Sequence, residues 1–248
     1  MNHLFVPNVG RVDFQDIVFD EKLSIQVQQF LREYEHFEIL NKFGLPVVNK
    51  LLLFGKSGCG KTMTAKAIAN KLGKKLKTIN LGNIVSSKLG ETSRNIAAAF
   101  KMVETQEAVL FFDEFDSLGK ERNYDNTDSS EMKRVVNSMI QLIDSLPRNS
   151  IFIAATNQIG LIDEALIRRF ELKLEFYNPS QNYLDQLYDQ LISKYPKEYQ
   201  KVSRIYDISF AEAETIVLQE VKGNIIQSEL LKKAQILQAD KLTVICDN

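Results

Sequence analysis

Residues 55–62 read Gly-Lys-Ser-Gly-Cys-Gly-Lys-Thr, which satisfies the spacing G-x-x-x-x-G-K-S/T of a phosphate-cradling loop. Glycines at 55, 58 and 60 let backbone wrap a phosphate chain without side-chain clashes, and the loop's N–H groups and a following helix N-terminus face the anion. Lys61 would reach the β- and γ-phosphates, and the Thr62 hydroxyl would ligate Mg²⁺. The candidate nucleotide contacts are therefore Gly55, Lys56, Ser57, Gly58, Cys59, Gly60, Lys61, Thr62 and Met63. Asp113 and Glu114 form a second group. Adjacent acids at a strand end suit phosphoryl transfer to water, the first holding Mg²⁺ through its waters and the second polarising the attacking water. In isolation such a pair could start a helix, but the four apolar residues before it, in a chain that carries the glycine loop, favour the phosphoryl-transfer reading. Asn157 could lie between the γ-phosphate and that water, or simply form a turn after a strand. Arg168 and Arg169, adjacent in a neutral protein, read as surface charges unless another subunit brings its nucleotide to them.

The segments around these residues have the pattern needed to position them. Leu51-Leu52-Leu53-Phe54 before the loop suits a buried parallel strand, and Thr62–Leu72 after it has apolar residues at helical spacing, with Gly73 as a stop. Leu76–Leu81 is a short alternating strand, and a helix runs through Ile96–Phe100. Ala108–Asp113 is an apolar strand ending in acid. Met132–Leu142 reads as a helix, Ile151–Thr156 as a buried strand, and Leu172–Phe176 as the last strand. Alternating apolar strands and helices imply a parallel sheet covered on both faces.

The pattern changes after Pro179. Leu184, Leu187, Tyr188, Leu191 and Ile192 fall on one helical face. Ser209-Phe210-Ala211-Glu212 is a capping-box sequence opening a second helix, and Ile225–Leu237 reads as a third. An α/β domain of residues 1–179 followed by a small all-helical domain of 180–248 is expected.

Composition narrows the classes of function. The 31 basic and 32 acidic residues balance, so charge gives no pull toward nucleic acid or membrane. Lys71, Lys74, Lys75 and Lys77 are the nearest thing to a basic patch and read as a solvated face. No apolar run approaches membrane-spanning length, and no signal-peptide pattern opens the sequence. Two cysteines, Cys59 and Cys246, are too few for a disulfide framework, which suits a reducing cytoplasm. Neither these nor His3 and His36 have metal-ligand spacing, so the expected metal is the one that arrives with the nucleotide.

Taken together, these motifs resemble the AAA ATPases. The glycine loop is similar to Walker A, Phe111-Phe112-Asp113-Glu114 to Walker B, and Ala155-Thr156-Asn157 to sensor 1. Ala154–Phe170 is similar to the second region of homology, which separates AAA proteins from other phosphate-loop ATPases. Val12–Ile17 is similar to the family's N-terminal segment, whose backbone near Asp16 and Ile17 contacts adenine. The resemblance implies a five-stranded sheet of order 5-1-4-3-2 with flanking helices and a helical lid. It also implies a homo-oligomeric ring, usually hexameric, with ATP and Mg²⁺ bound at each subunit interface. Arg168 and Arg169 would then be arginine fingers for the neighbour's γ-phosphate. Three departures stand out. The arginines are adjacent where many family members have Arg-x-x-Arg. The stretch matching the substrate-gripping pore loop, Ser86–Thr92, has no aromatic, leaving Leu89. Residues before Val12 are too few for a recruiting domain, so specificity would come from loops, the C-terminal tail or a separately encoded partner, by analogy a subtilisin-like protease. The expected activity is ATP-driven remodelling of a protein; the alternative is a DNA-associated loader or regulator of the helicase-loader or clamp-loader type. No sensor-2 arginine is evident.

Overall fold

The computed structural model describes residues 5–6, 10–85, 89–120 and 126–246. Five strands, β1 (Lys50–Gly55), β2 (Leu76–Asn80), β3 (Val109–Asp113), β4 (Ile151–Thr156) and β5 (Leu172–Phe176), form one sheet. Their order is β2-β3-β4-β1-β5 with every neighbouring pair parallel. This is the expected 5-1-4-3-2 order read from the opposite edge. β4 lies in the middle and is buried at all six residues, as its five consecutive apolar residues before Thr156 require.

Strand alternation divides the core into two layers. Leu52, Leu110, Phe112, Phe152 and Ala154 point to one face, against α5 (Leu89–Gln106) and α7 (Asn126–Asp144). Leu51, Leu53, Val109, Phe111, Ile151, Ile153 and Ala155 point to the other, against α1 (Glu21–Glu35) and α3 (Lys61–Lys71). An aromatic group anchors the first layer: Phe112 meets Phe152 edge-on at 5.3 Å and Phe115 meets Phe170 edge-on at 5.7 Å. Such pairs add about 1 kcal/mol each beyond burial. Asp20 caps α1, its carboxyl accepting from the Leu23 N–H at 2.7 Å. Shorter helices complete this part: α2 (Phe37–Lys42), α4 (Leu81–Val85), α6 (Ser117–Lys120) and α8 (Glu164–Ile167). Beside the outer strand β2, Val6 makes an antiparallel bridge with Thr78, its N–H donating to the Thr78 carbonyl at 2.9 Å.

The chain divides into two compact units, Met1–Tyr177 and Asn178–Asn248. The second is helical, with α9 (Gln181–Ile192) and α10 (Phe210–Cys246). Leu184, Tyr188, Leu191 and Ile192 of α9 bury against Ala213, Val217 and Val221 of α10. The Tyr188 hydroxyl donates to the Ile205 carbonyl at 2.9 Å, and the Arg204 guanidinium lies over the Tyr188 ring while pairing with Asp185 and Asp189. The predicted capping box is present: the Ser209 N–H donates to Glu212 Oε2 at 2.8 Å and the Glu212 N–H to Ser209 Oγ at 3.3 Å. The expectation of two separate helices here is corrected, because α10 runs without a break for 37 residues. Gly223 inside it costs about 1 kcal/mol relative to alanine, too little to stop a helix lacking proline. Among the described residues, no helix is long and apolar enough to cross a membrane.

Candidate functional site

β1, β3 and β4 all end on one edge of the sheet, where a parallel sheet binds its ligands. β1 passes directly into the glycine loop. Gly55 has φ 128°, and a Cβ there would lie 2.0 Å from the Phe176 carbonyl oxygen of β5, so no other residue fits. Gly60 has φ 98° and leads into α3 from the left-handed region. Cys59 is buried, while Lys56, Ser57 and Met63 are exposed around the loop.

Lys61 is buried at 8% exposure, and its ammonium donates to the carbonyls of Gly55 (2.8 Å) and Lys56 (2.6 Å). Burial lowers its pKa, with Cys59, Asp113 and Asp116 pulling the other way. The cation is thus held under the loop by backbone oxygens that phosphate oxygens could replace. The Thr62 hydroxyl donates to Asp113 Oδ2 at 3.0 Å, joining the first turn of α3 to the end of β3. A hydroxyl and a carboxylate side by side are hard oxygen donors of the kind Mg²⁺ takes alongside phosphate and water. The residues present therefore fit both nucleotide and metal.

Glu114 follows at once, and its backbone is left-handed at φ 54°. Its N–H donates to Asp113 Oδ1 at 3.0 Å, and its side chain is exposed. The carboxylate rests against Gly82 of α4: a Cβ at Gly82 would be 2.5 Å from Glu114 Oε2, 3.1 Å from Asn80 Oδ1 and 3.4 Å from Ser117 Oγ. Asn157 follows the last residue of β4 and is exposed on the same sheet edge as Asp113 and Gly55.

The other predicted residues make their described hydrogen bonds outside this group. Asp16 belongs to a 3-10 turn, Phe14–Asp16, and its carboxyl accepts from the Asp13 N–H at 2.9 Å. Asp13 in turn accepts from Asn70 near the far end of α3, roughly 14 Å along the helix from Lys61. The described hydrogen bonds of Asp16 and Ile17 stay within the turn, and none brings either residue to the loop. Arg168 and Arg169 follow α8. Arg168 pairs with Glu164 and its side chain is 69% exposed. Arg169 is held more tightly, to both Asp144 oxygens (3.3 and 3.5 Å) and to the Ala165 carbonyl (3.0 Å). Neither guanidinium bonds to its own glycine loop. Ser86, Ser87 and Lys88 of the pore-loop stretch lie outside the described residues; Leu89 opens α5.

Sequence reasoning passed over Gly82, Asp116 and the Thr156 hydroxyl. Asp116 follows Glu114 by two and Thr156 precedes Asn157, so proximity in sequence was the available signal.

A family model for the "ATPase family associated with various cellular activities (AAA)" matches residues 51–178. The chain is 34% identical over 213 residues to an uncharacterized AAA family ATPase of Sinorhizobium fredii, covering 85% of this chain and 63% of that protein. It is 34% identical over 154 residues to the 26S proteasome regulatory subunit 8 homolog of Schizosaccharomyces pombe, covering 59% of this chain and 38% of that one. The chain thus spans less than two thirds of either relative's length.

Proposed function

The chain belongs to the ATPase family associated with various cellular activities, and from that footing we propose that it is an ATP-hydrolysing ring motor that remodels a protein partner. The observation that carries this reading is the Thr62–Asp113 hydrogen bond with Glu114 next in the chain, set beside a glycine loop that shelters Lys61. Lys61 exchanges its two backbone carbonyls for phosphate oxygens when ATP enters. Thr62 and Asp113 hold Mg²⁺, which when bound neutralises phosphate charge. Glu114 orients a water and takes its proton as the water oxygen bonds to the γ-phosphorus. The bond from that phosphorus to the β–γ bridging oxygen breaks, giving ADP and phosphate. Asn157 steadies the same water. Asp16 and Ile17 contact adenine through their backbone once nucleotide is present, and residues 180–248 serve as the helical lid.

Arg168 and Arg169, which do not bond to their own loop, act on a neighbour's γ-phosphate in a ring that the resemblance makes a hexamer. The proteasome-subunit relative supports a protein rather than a nucleic acid as the partner. The DNA-loader alternative gains nothing from the Lys71–Lys77 stretch. Lys74 lies over the Tyr34 ring and donates to the Glu107 carbonyl, and Lys77 lies over the Phe5 ring. The paucity of cysteine supports a cytoplasmic location.

ATP binding and steady-state hydrolysis of the purified chain test this. Lys61→Ala should lose binding, whereas Glu114→Gln should bind ATP and turn over about a thousandfold more slowly. Mixing Glu114→Gln with Arg169→Ala should restore part of the activity, since some interfaces then pair an intact Glu114 with an intact Arg169. Near-normal turnover by Glu114→Gln would remove Glu114 from the chemistry. No recovery in verified mixed oligomers would remove Arg169 from action across an interface. Stimulation by an unfolded protein rather than by DNA is the expected response to partners.

A further inference from the structure

We infer that Asp116 and Thr156 are positioning residues, joined in a buried hydrogen bond that holds Glu114 and Asn157 at a fixed separation. The inference rests on the ATPase reading above and deepens it.

Left-handed backbone at a glutamate is disfavoured and persists only where the surroundings over-determine it. At Glu114 the determinants come from β4. The Phe115 N–H donates to the Ala155 carbonyl at 2.9 Å, and at the next residue Asp116 Oδ1 accepts from the Thr156 hydroxyl, also at 2.9 Å. The Phe115 ring is fully buried against Phe112, Phe152 and Phe170. Two consecutive residues after Glu114 are therefore fixed to the neighbouring strand, and Glu114 must turn left-handed to connect them to β3.

The same hydroxyl works in the other direction. Thr156 Oγ1 accepts from the Gln158 N–H at 3.0 Å, so the backbone bracketing Asn157 is tied to the atom that holds Asp116. Donating to one group while accepting from another is what a threonine hydroxyl can do and a valine of the same shape cannot. Asp116 and Thr156 are 2% and 1% exposed, so water does not compete for the link. Glu114 and Asn157 come from different strands, and this chain of contacts runs from one to the other. The hydrogen bonds of this chain run between the ends of β3 and β4, and Asp116 in addition acts on Lys61 through its charge, whereas Thr156 carries none.

Loss of the link should therefore disturb water orientation and leave nucleotide binding intact. ATP affinity, steady-state kinetics and thermal unfolding are measured for wild type, Thr156→Val, Thr156→Ser and Asp116→Asn. Thr156→Val should keep KM and ATP affinity within about twofold and lose about a hundredfold in kcat, the order expected for misplacing a catalytic group by an ångström. Thr156→Ser, which restores the hydroxyl, should recover most of the loss. Adding Thr156→Val to Glu114→Gln should slow the enzyme little further, because both act through the same water. If Thr156→Val does not fold, Asp116→Asn decides. It keeps the size and one acceptor and should lower kcat about fivefold; because the Asp116 charge also acts on Lys61, ATP affinity is measured beside it, and a kcat at the wild-type value overturns the inference. A wild type that does not hydrolyse ATP overturns the functional reading and the inference with it. A wild type that hydrolyses, with Thr156→Val near the wild-type rate, additive with Glu114→Gln or not rescued by serine, overturns the inference alone.

Discussion

Where β1, β4 and β5 begin, polar side chains close on one another; where β1, β3 and β4 end, they are held open or under strain. At the first edge Asn49, 1% exposed, donates through Nδ2 to the carbonyls of Pro147 and Ser150 at 3.0 and 2.8 Å. Its N–H donates to Glu171 Oε2, and the Lys50 ammonium bridges Glu171 Oε1 and Asn49 Oδ1. Ser150 Oγ is the exception, a buried hydroxyl without a hydrogen-bond partner among the described residues. At the opposite edge a buried cation rests on backbone carbonyls, a glutamate is left-handed, and a glycine leaves space for its carboxylate. Glu107 is also left-handed, at φ 48°, but it sits just past α5, where that conformation ends a helix. Glu114 ends no helix. One edge is built for stability, and the other keeps groups available to a ligand.

Substitutions at the two edges should separate activity from stability. At the ligand edge the separating change is Gly82→Ala. The new Cβ displaces the Glu114 carboxylate, which is flexible and can move, while alanine favours the helix. Turnover should fall about tenfold with the melting temperature unchanged or slightly raised; unaltered kcat would show that the carboxylate does not need its resting place. Asn49→Ala should do the reverse. Two buried carbonyls lose their donor, and chemical denaturation should report a loss of about 3 kcal/mol with kcat per folded molecule unchanged. A matching drop in kcat would mean that the edges are coupled.

The smallest effect concerns Tyr34, whose hydroxyl donates to the Asn149 carbonyl at 2.6 Å beside the stable edge. Burial, with Glu107 as the second cause, raises its pKa from 10.0 to about 12. The folded value is the higher one, so the unfolded chain ionises first. The contribution to stability is full below pH 10 and is lost as pH rises toward and through 12. Stability measured across that window should fall less steeply in Tyr34→Phe than in wild type; parallel curves would place the alkaline transition elsewhere.

The legible parts of this protein were those governed by short-range pattern. The apolar runs of β3 and β4, the glycine loop and the Ser209–Glu212 capping box each declare themselves within a few residues. Strand order came from family resemblance, because periodicity says nothing about which strands are neighbours. Gly82 was not legible: its role depends on the carboxylate of Glu114, 32 positions away, and on that residue's backbone twist. Neither was the Asp116–Thr156 link, formed across a strand pairing that only the folded sheet creates. The arginines were found as residues, but Asp144 as a partner for Arg169 depends on the end of α7 meeting the turn after α8. The continuity of α10 across residues 210–246 was not legible either, because the local penalty at Gly223 is smaller than the gain from an unbroken helix.

The contact between Val6 and Thr78 bears on how this protein behaves in a crowded solution. An unguarded outer strand is a template onto which an extended segment of another molecule can add. Here the Thr78 carbonyl is already taken by Val6, and the ammonium of Lys77 is drawn over the ring of Phe5 beside it. A stray strand arriving at β2 meets an occupied acceptor and a charged neighbour, and must evict the molecule's own leading residues before it can pair. Removal of Phe5 and Val6 would therefore convert a guarded margin into an adhesive one, with aggregation as the visible symptom and the glycine loop untouched.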